Sequence, residues 1–233
     1  GPVAGMIRTE SDMAWVKAMI ADGYKFNGVT KVAKDQLWYG DLIYADANGD
    51  GNYGDTNDMN FTGTSTQPRY NFGLNLSVAY KGFDFYMLWA GSAGFDLYWN
   101  HSSYNGTRTE NGFGISQRVA DNHYFYNPEN PSDSRTNITA KYPRITDQTQ
   151  RDNGTSSVFW KYKGDYVKLK NIQIGYTIPV KWTRKFMVEK LRFYFSGENL
   201  LTITSYPGLD PEMGTSITYP LTRQFAFGAQ LSF

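Results

Sequence analysis

Five segments of this chain alternate apolar and polar residues with a period of two, which is the pattern of a half-exposed β-strand. The clearest runs from Tyr70 to Tyr80, where the even positions are aromatic or aliphatic and the odd positions are small or polar. The other four occupy residues 83–89, 164–179, 191–203 and 224–233. Because successive side chains of a strand point to opposite faces, each segment predicts one apolar and one polar face. The pattern therefore predicts an all-β fold.

The third of these segments contains a slip in its alternation. Val167 and Leu169 occupy odd positions, whereas Ile172 and Ile174 occupy even ones. One extra residue in a strand shifts the phase of the pattern by one position, so we expect a β-bulge near Lys170. The first two segments have about the ten-residue length that a tilted strand needs to cross a bilayer.

Short and long connections alternate between the predicted strands. Lys81-Gly82 is a tight turn and residues 179–190 form a turn of moderate length, whereas 95–157 and 206–222 are long. Outer-membrane barrels have short periplasmic turns and long extracellular loops. If Phe233 lies at the periplasmic face, as the terminal aromatic residue of such proteins does, the long segments fall outside. The topology predicts a transmembrane antiparallel β-barrel in the bacterial outer membrane.

The chain is expected to divide into two regions. Residues 1–68 are predicted to be an extracellular loop region with a short helix, and residues 69–233 to carry the barrel strands with the long extracellular loop at 95–157. Five strands cannot close the barrel of an outer-membrane transporter, which has about 22, so we expect a fragment or one part of a larger assembly. The first residues lack the basic and apolar regions of a signal peptide, so an exported chain is expected to have lost its beginning.

Hydropathy, net charge and cysteine content exclude several other classes of protein. The mean hydropathy is −0.53, and no run of about 18 apolar residues exists, which excludes a transmembrane helix but suits alternating barrel strands. The net charge of +1 gives no electrostatic reason to propose nucleic acid as a partner. The lack of cysteine excludes thiolate metal sites and a cysteine nucleophile. A soluble β-sandwich is the alternative fold, and the alternation of short turns with long loops counts against it.

The polar run from Asp46 to Asp58 is similar to a loop that binds a hard cation. Three oxygen-bearing side chains at alternate positions are followed by Gly51, as in the first half of an EF-hand loop, but Asn57 stands where the closing Glu is expected. Two interpretations stay open: a calcium loop that stiffens this region, or a turn whose carboxylates only bond the backbone. The candidate calcium ligands are Asp46, Asn48, Asp50, Asn52 and Asp58.

Aromatic residues of the long polar segment are candidates for binding a solute. A flat apolar ring with a polar rim can stack on a sugar ring or a peptide side chain. The other interpretation is ordinary loop packing, or contact with a partner protein. The candidate substrate-binding residues are Tyr98, Trp99, Tyr104, Tyr124 and Tyr126.

No set of residues predicts a catalytic site. The only histidines, His101 and His123, have no spacing typical of a metal pair or a catalytic triad. Asp210 and Glu212 have the residue types of a glycosidase acid and base, but they belong to a turn-rich segment between two predicted strands. We therefore expect that the protein is not an enzyme.

Several long motifs resemble the C-terminal part of the SusC-like (SusC/RagA) family of TonB-dependent transporters of the Bacteroidetes. They are GDLIYADANGDGNYGD at 40–55, YNFGLNLSVAYKGFDFYMLWAGSAG at 70–94, GDYVKLKNIQIGYTIP at 164–179, RFYFSGENLLTITSYPGLDPE at 192–212 and the terminal FAFGAQLSF. These motifs cover most of the chain outside 95–157, and it is their order and combined length that make the resemblance specific.

The resemblance implies a barrel of about 22 strands with a plug and a TonB box in the N-terminal part, neither of which lies in this sequence. It also implies a SusD-like surface lipoprotein as partner and TonB-driven uptake of oligosaccharides or, in some members, peptides. The alternative from another class is a structural or secretion barrel without a plug, whose loops bind another protein. A different TonB cargo, such as a siderophore or cobalamin, is disfavoured by the motifs.

Overall fold

The computed structural model describes residues 3–99, 115–145, 153–154, 157–215, 219 and 221–233. The chain divides into two compact units. The first unit comprises Gly1–Gly63 and Tyr98–Lys161, and the second comprises Thr64–Leu97 and Tyr162–Phe233. Within the described ranges, no helix is long and apolar enough to span a membrane.

The first unit combines one helix with very short strands. Thr9 caps the helix through a reciprocal capping box with Asp12, and Gly23 follows the helix with a positive φ of 92°. Strands β1 and β3 pair antiparallel, and β2 and β4 pair parallel. The elements are β1 (Val3–Met6), α1 (Glu10–Ala21), β2 (Lys25–Phe26), β3 (Leu42–Tyr44), β4 (Asn52–Tyr53), α2 (Gln117–Ala120) and 3₁₀ turns at Thr56–Asp58 and Val158–Trp160.

The core of the first unit draws on two distant parts of the sequence. Tyr124 and Ala140, from the long polar segment, are buried in one cluster with Ile7, Met13 and Val16. The compact units differ in extent from the predicted ranges, because the described residues of 98–157 belong to the same unit as the N-terminal residues. Tyr124 gains burial there, which favours this packing.

The second unit is built on one antiparallel sheet. The strand order is β11-β10-β9-β6-β5, so each of these five strands pairs with the one before or after it along the chain. The strands are β5 (Tyr70–Tyr80), β6 (Phe83–Ala93), β7 (Asp96–Tyr98), β8 (Lys161–Lys163), β9 (Tyr166–Thr177), β10 (Lys190–Thr204) and β11 (Gln224–Ser232). The helical turns are α3 (Val180–Thr183) and 3₁₀ turns at Arg184–Phe186 and Pro211–Met213. The predicted antiparallel strands are confirmed, and the described strands form an open sheet.

The predicted bulge is confirmed at Lys170. Leu88 and Trp89 of β6 are consecutive, but their partners on β9 are Asn171 and Leu169, so Lys170 is the extra residue. On β10 the same two partners of β9 face Glu198 and Leu201, which leaves two residues between them. The register of β9 with β6 and its register with β10 both shift at Lys170. The apolar side chains of the three strands therefore stay on one face.

Candidate functional site

The sheet of the second unit separates its side chains by polarity. The register places apolar residues of all five strands on one face, and most of them are exposed. Exposed apolar side chains over this width are unfavourable in water, so this face fits a lipid environment or a partner surface. The face includes Phe72, Leu74, Leu76, Val78, Phe83, Phe85, Met87, Trp89, Leu169, Ile172, Ile174, Phe193, Phe195, Leu231 and Phe227.

The opposite face carries the hydrogen-bonding and charged side chains. The same register groups them there, since they alternate with the apolar residues along each strand. Aliphatic side chains are few on this face. It includes Asn71, Asn75, Ser77, Asp84, Tyr86, Ser92, Tyr166, Lys168, Asn171, Gln173, Arg192, Tyr194, Ser196, Glu198, Thr202 and Gln230.

The two ends of the sheet differ in the length of their connections. At one end, Tyr80 pairs with Phe83 across a two-residue turn, and residues 178–189 join β9 to β10. At the other end, the chain leaves β6 and β10 for the long segments before β9 and β11. The observed arrangement has the alternation of short and long connections that the sequence predicted.

A cluster of four charged residues, centred on the buried Lys168, lies on the polar face beside the bulge. The ammonium group of Lys168 lies 2.6 Å from each carboxylate oxygen of Asp210 and 2.8 Å from Glu212 Oε2. Lys170 Nζ lies 2.6 Å from Glu212 Oε1. The Lys168 side chain is buried, with 1% of the residue exposed. The cluster therefore fastens residues 205–215, which carry Asp210 and Glu212, to the strand that carries both lysines.

Glu212 is ionised in this cluster. Burial raises the pKa of its carboxyl, but hydrogen bonds and charge from Lys168 and Lys170 outweigh burial, so the pKa lies below its ordinary value. Asp210 and Glu212 thus neutralise two lysines, which suits a structural role better than acid and base catalysis. The sequence signal for this cluster was Lys168, which alternates onto the polar face, together with Lys170 at the bulge itself.

The predicted calcium loop lies in the first unit as a set of tight turns. The carboxylate of Asp46 accepts hydrogen bonds from the backbone amides of Gly49, Asp50 and Gly51. Asn48 and Asp50 form a side-chain hydrogen bond of 2.9 Å. The side chain of Asn52 accepts a hydrogen bond from the Gly28 amide and donates one to Asp55, so it takes part in the same turns.

The Asp58 side chain links the start and the end of the loop. Its carboxylate accepts hydrogen bonds from the amides of Ala47, Asn48, Gly54 and Asp55, at 2.6 to 3.3 Å. Burial raises the pKa of Asp58, but these four amides together outweigh burial and hold the pKa below its ordinary value. Among the described residues, no group of three or more His, Cys, Asp or Glu side chains is placed to hold a metal ion. Calcium binding here stays a prediction.

The candidate substrate-binding aromatics occupy different environments. Trp99 is buried and contacts Tyr142 and Trp160 edge to face. Tyr124 is buried in the core of the first unit, where its hydroxyl donates to the Arg8 carbonyl.

The remaining candidates are more accessible. Tyr98 and Tyr126 are partly exposed, and the Tyr126 hydroxyl lies 3.1 Å from Glu10 Oε1. Tyr104 lies outside the described residues. Of the four described candidates, two are buried and two are partly exposed, and the role of all five in binding stays a prediction.

A buried polar network in the first unit was not predicted from the sequence. The Arg144 guanidinium forms a bidentate pair with Asp41, at 2.6 and 2.9 Å, and the Asn153 side-chain amide donates to the same carboxylate at 2.8 Å. Burial raises the pKa of Asp41, against the lowering effect of Arg144 and Asn153. Arg144 and Asn153 lie 103 and 112 positions from Asp41 along the chain. No local motif signals such a network.

Comparison with known proteins agrees with this architecture. No protein-family model matches the chain. It is 31% identical to the TonB-dependent receptor P3 of Formosa agariphila over 235 aligned residues, covering 91% of this chain and 22% of the receptor. It is 27% identical to the TonB-dependent receptor P39 of the same organism, covering 91% of this chain and 21% of the receptor. The chain thus spans about a fifth of the length of these relatives.

A solved structure gives the fold. The RagAB peptide importer in its open-open state aligns with a TM-score of 0.57 and 23% identity, over 83% of this chain and 21% of the importer chain. This alignment shows that the two-faced antiparallel sheet has the fold of part of the importer chain. The similarity to TonB-dependent receptors and this shared fold support the resemblance of the sequence motifs to the C-terminal part of a SusC-like barrel.

Proposed function

We propose that the chain forms the C-terminal strands of a SusC-like TonB-dependent importer in the bacterial outer membrane, which takes up oligosaccharides or peptides. The observation that carries the proposal is the two-faced sheet, in which an exposed apolar face and a charged polar face lie back to back. Such a sheet is stable when lipid covers one face and an aqueous or plug-filled interior the other. The similarity to TonB-dependent receptors supports transport that is driven by TonB.

The polar face is the proposed lining of the barrel. Its charged residues form ion pairs on the sheet, such as Asp84 with Arg192 and Lys168 with Asp210. The same charges on the lipid-facing side would be costly, which supports this orientation of the sheet in the membrane.

The two edge strands of the sheet need further strands as partners in a membrane. β5 and β11 each have one neighbour in the sheet, so their other edges carry backbone groups without a strand partner among the described residues. In lipid such edges must pair, and we propose that the N-terminal barrel segment supplies the partner strands. The plug that TonB contacts is proposed to accompany that segment.

The long connections are proposed to form the extracellular side, where a SusD-like lipoprotein docks and the solute enters. The partly exposed rings of Tyr98 and Tyr126 are suited to stacking on a sugar or a peptide side chain. No residue set in the described ranges suggests catalysis, and the protein is proposed to move its substrate unchanged.

The position of the apolar face is tested by fluorescence quenching. Trp89 lies on this face near the middle of β6, paired with Leu74 and Leu169. The full receptor is reconstituted in vesicles whose lipids carry bromine near the bilayer centre. The Trp89 contribution, obtained by subtracting the signal of the Trp89→Phe variant, is expected to be strongly quenched. Unquenched emission would show that this face does not meet lipid.

The transport role is tested on the native complex. Affinity capture through this chain from detergent-solubilised membranes is expected to retrieve a plug-bearing barrel segment and a SusD-like lipoprotein. Cells lacking the receptor are expected to lose uptake of one labelled oligosaccharide or peptide from a panel. A barrel captured without a plug segment, with uptake of the whole panel unchanged, would support the structural or secretion barrel instead.

A further inference from the structure

The turn between β9 and β10 exposes large apolar side chains at the end of the sheet with short connections. Trp182, Phe186 and Met187 are 62%, 75% and 84% exposed. They belong to α3 and the 3₁₀ turn that follows it, which end at Met187 in the left-handed conformation with a φ of 58°. Three large apolar residues in one short ordered turn are unfavourable in water, so this surface is suited to an apolar partner.

Beside these side chains lies an apolar cleft of about 360 Å³. It is lined by Ile178, Trp182, Phe186, Val188, Leu191 and Phe193. Leu191 and Phe193 belong to the apolar face of the sheet, because they pair with Leu231 and Ala229 on that face. The cleft therefore continues the apolar face beyond the ends of the strands.

The same turn carries a concentration of positive charge. Lys181, Arg184 and Lys185 lie within five consecutive residues and are exposed. In the described part of the chain, none of the three forms an ion pair with a carboxylate, and Glu189 is the only acidic residue between Pro179 and Lys190. An apolar cleft beside unpaired cations complements a molecule that joins a hydrocarbon chain to an anion.

We propose that the turn at 178–190 binds an anionic membrane phospholipid. One acyl chain occupies the cleft beside Trp182 and Phe186, and the phosphate is held by Lys181, Arg184 and Lys185. The indole ring of Trp182 suits the boundary between chain and headgroup because one edge of the ring is apolar and the other donates a hydrogen bond. This inference rests on the proposed function, since it requires the apolar face to lie in a membrane.

The test uses the full receptor in vesicles of phosphatidylcholine that contain a minor fraction of phosphatidylglycerol. Bromine is placed high on the acyl chains of either lipid, and the Trp182 signal is the difference between the receptor and its Trp182→Phe variant. Quenching by brominated phosphatidylglycerol is expected to exceed that by an equal fraction of brominated phosphatidylcholine by about fivefold or more, from the attraction of basic residues to anionic lipid.

The triple variant Lys181→Gln, Arg184→Gln, Lys185→Gln is expected to lose this preference while Trp182 is still quenched by both lipids. The matched control neutralises Lys17, Lys31 and Lys34, exposed lysines of the first unit, and should retain it. Equal quenching by both lipids in the unmodified receptor would overturn the lipid site. Quenching of Trp89 in the same vesicles keeps the two proposals apart, because it reports on the apolar face whatever Trp182 shows.

Discussion

Asp84 and Arg192 form a bidentate ion pair across an intervening strand. Arg192 Nε lies 2.8 Å from Asp84 Oδ1, and Arg192 Nη2 lies 2.8 Å from Asp84 Oδ2. Asp84 belongs to β6 and pairs with Gly175 of β9, whereas Arg192 belongs to β10 and pairs with Thr177, two residues further along β9. A Cβ atom at Gly175 would lie within 2.5 Å of both charged groups. The missing side chain of Gly175 therefore makes room for the pair.

The Gly175→Ala substitution is expected to separate Asp84 from Arg192. The added methyl group overlaps both charged groups, and overpacking of this kind costs about 1–3 kcal/mol. The temperature at which the folded receptor loses its compact form on a semi-native gel should fall. Gly73→Ala is the matched control, since the nearest atom to its Cβ is the Trp89 carbonyl oxygen at 3.4 Å. Equal transition temperatures of the two variants would contradict the idea that Gly175 makes room for the Asp84–Arg192 pair.

Lys168 is expected to hold residues 205–215 against the sheet. Lys168→Met leaves Asp210 without its cation, and breaking a buried ion pair costs about 3–5 kcal/mol. Hydrogen exchange should accelerate in 205–215 while the strands β5 and β6 stay protected. Lys170→Met is the control, because the Lys170 side chain is 25% exposed against 2% for Lys168. Unchanged exchange in the Lys168→Met variant would show that other contacts hold the segment.

Charge on the apolar face is expected to block assembly, whereas charge on the polar face is tolerated. Leu76→Arg places a cation on the apolar side of β5, and such a substitution near the bilayer midplane costs about 2–4 kcal/mol. Asn75→Arg, one residue away on the polar face, serves as the control. The folded fraction in the outer membrane, measured by heat-modifiable gel mobility, should fall only for Leu76→Arg. A similar loss in both variants would argue against the proposed orientation.

Asp58 is expected to make the loop at 46–58 sensitive to acid. Its pKa in the folded protein lies below the ordinary value of 3.8, so it stabilises the fold fully above that value. The contribution is lost as the pH falls through the folded pKa. The protection of the Ala47 and Gly54 amides against hydrogen exchange, corrected for intrinsic exchange rates, should be constant from neutral pH down to pH 3.8. It should fall below that pH.

The Asp58→Asn variant should show reduced protection at neutral pH, because an amide side chain offers one acceptor oxygen where the carboxylate offers two. Asp50→Asn is the control, since the exposed Asp50 carboxylate accepts from a single backbone amide, that of Asn52. Protection that stays flat through the acid range in the unmodified protein would count against this account.

The calcium interpretation makes a separate prediction. If the loop binds a hard cation through Asp46, Asn48 and Asp50, added terbium should show luminescence sensitised by the nearby rings of Tyr24 or Tyr53, and calcium should displace it. The double variant Asp46→Asn, Asp50→Asn should lose the signal. Absence of luminescence, together with amide protection that a chelator leaves unchanged, would establish the backbone-bonded turn in place of the calcium loop.

The two faces of the sheet follow from the sequence because they depend only on the period of two along each strand. Tyr70 to Tyr80 alternate without interruption, and the slip before Ile172 located the bulge at Lys170. The helix that begins at Glu10 was also predictable from the local sequence, because Thr9 and Gly23 act on their immediate neighbours. Local geometry determines all three features.

The tertiary structure alone decided which distant residues meet. Asp84 contacts Arg192 beside Gly175, Asp41 contacts Arg144 and Asn153, and Tyr124 is buried with residues of the N-terminal segment. The sequence made Trp99 and Tyr124 candidates either for binding a solute or for loop packing, and it is the fold that buries both. A charged or aromatic residue has many candidate partners of similar affinity along the chain. Strand register and core packing select one of them, and neither is encoded in the spacing of the residues that pair.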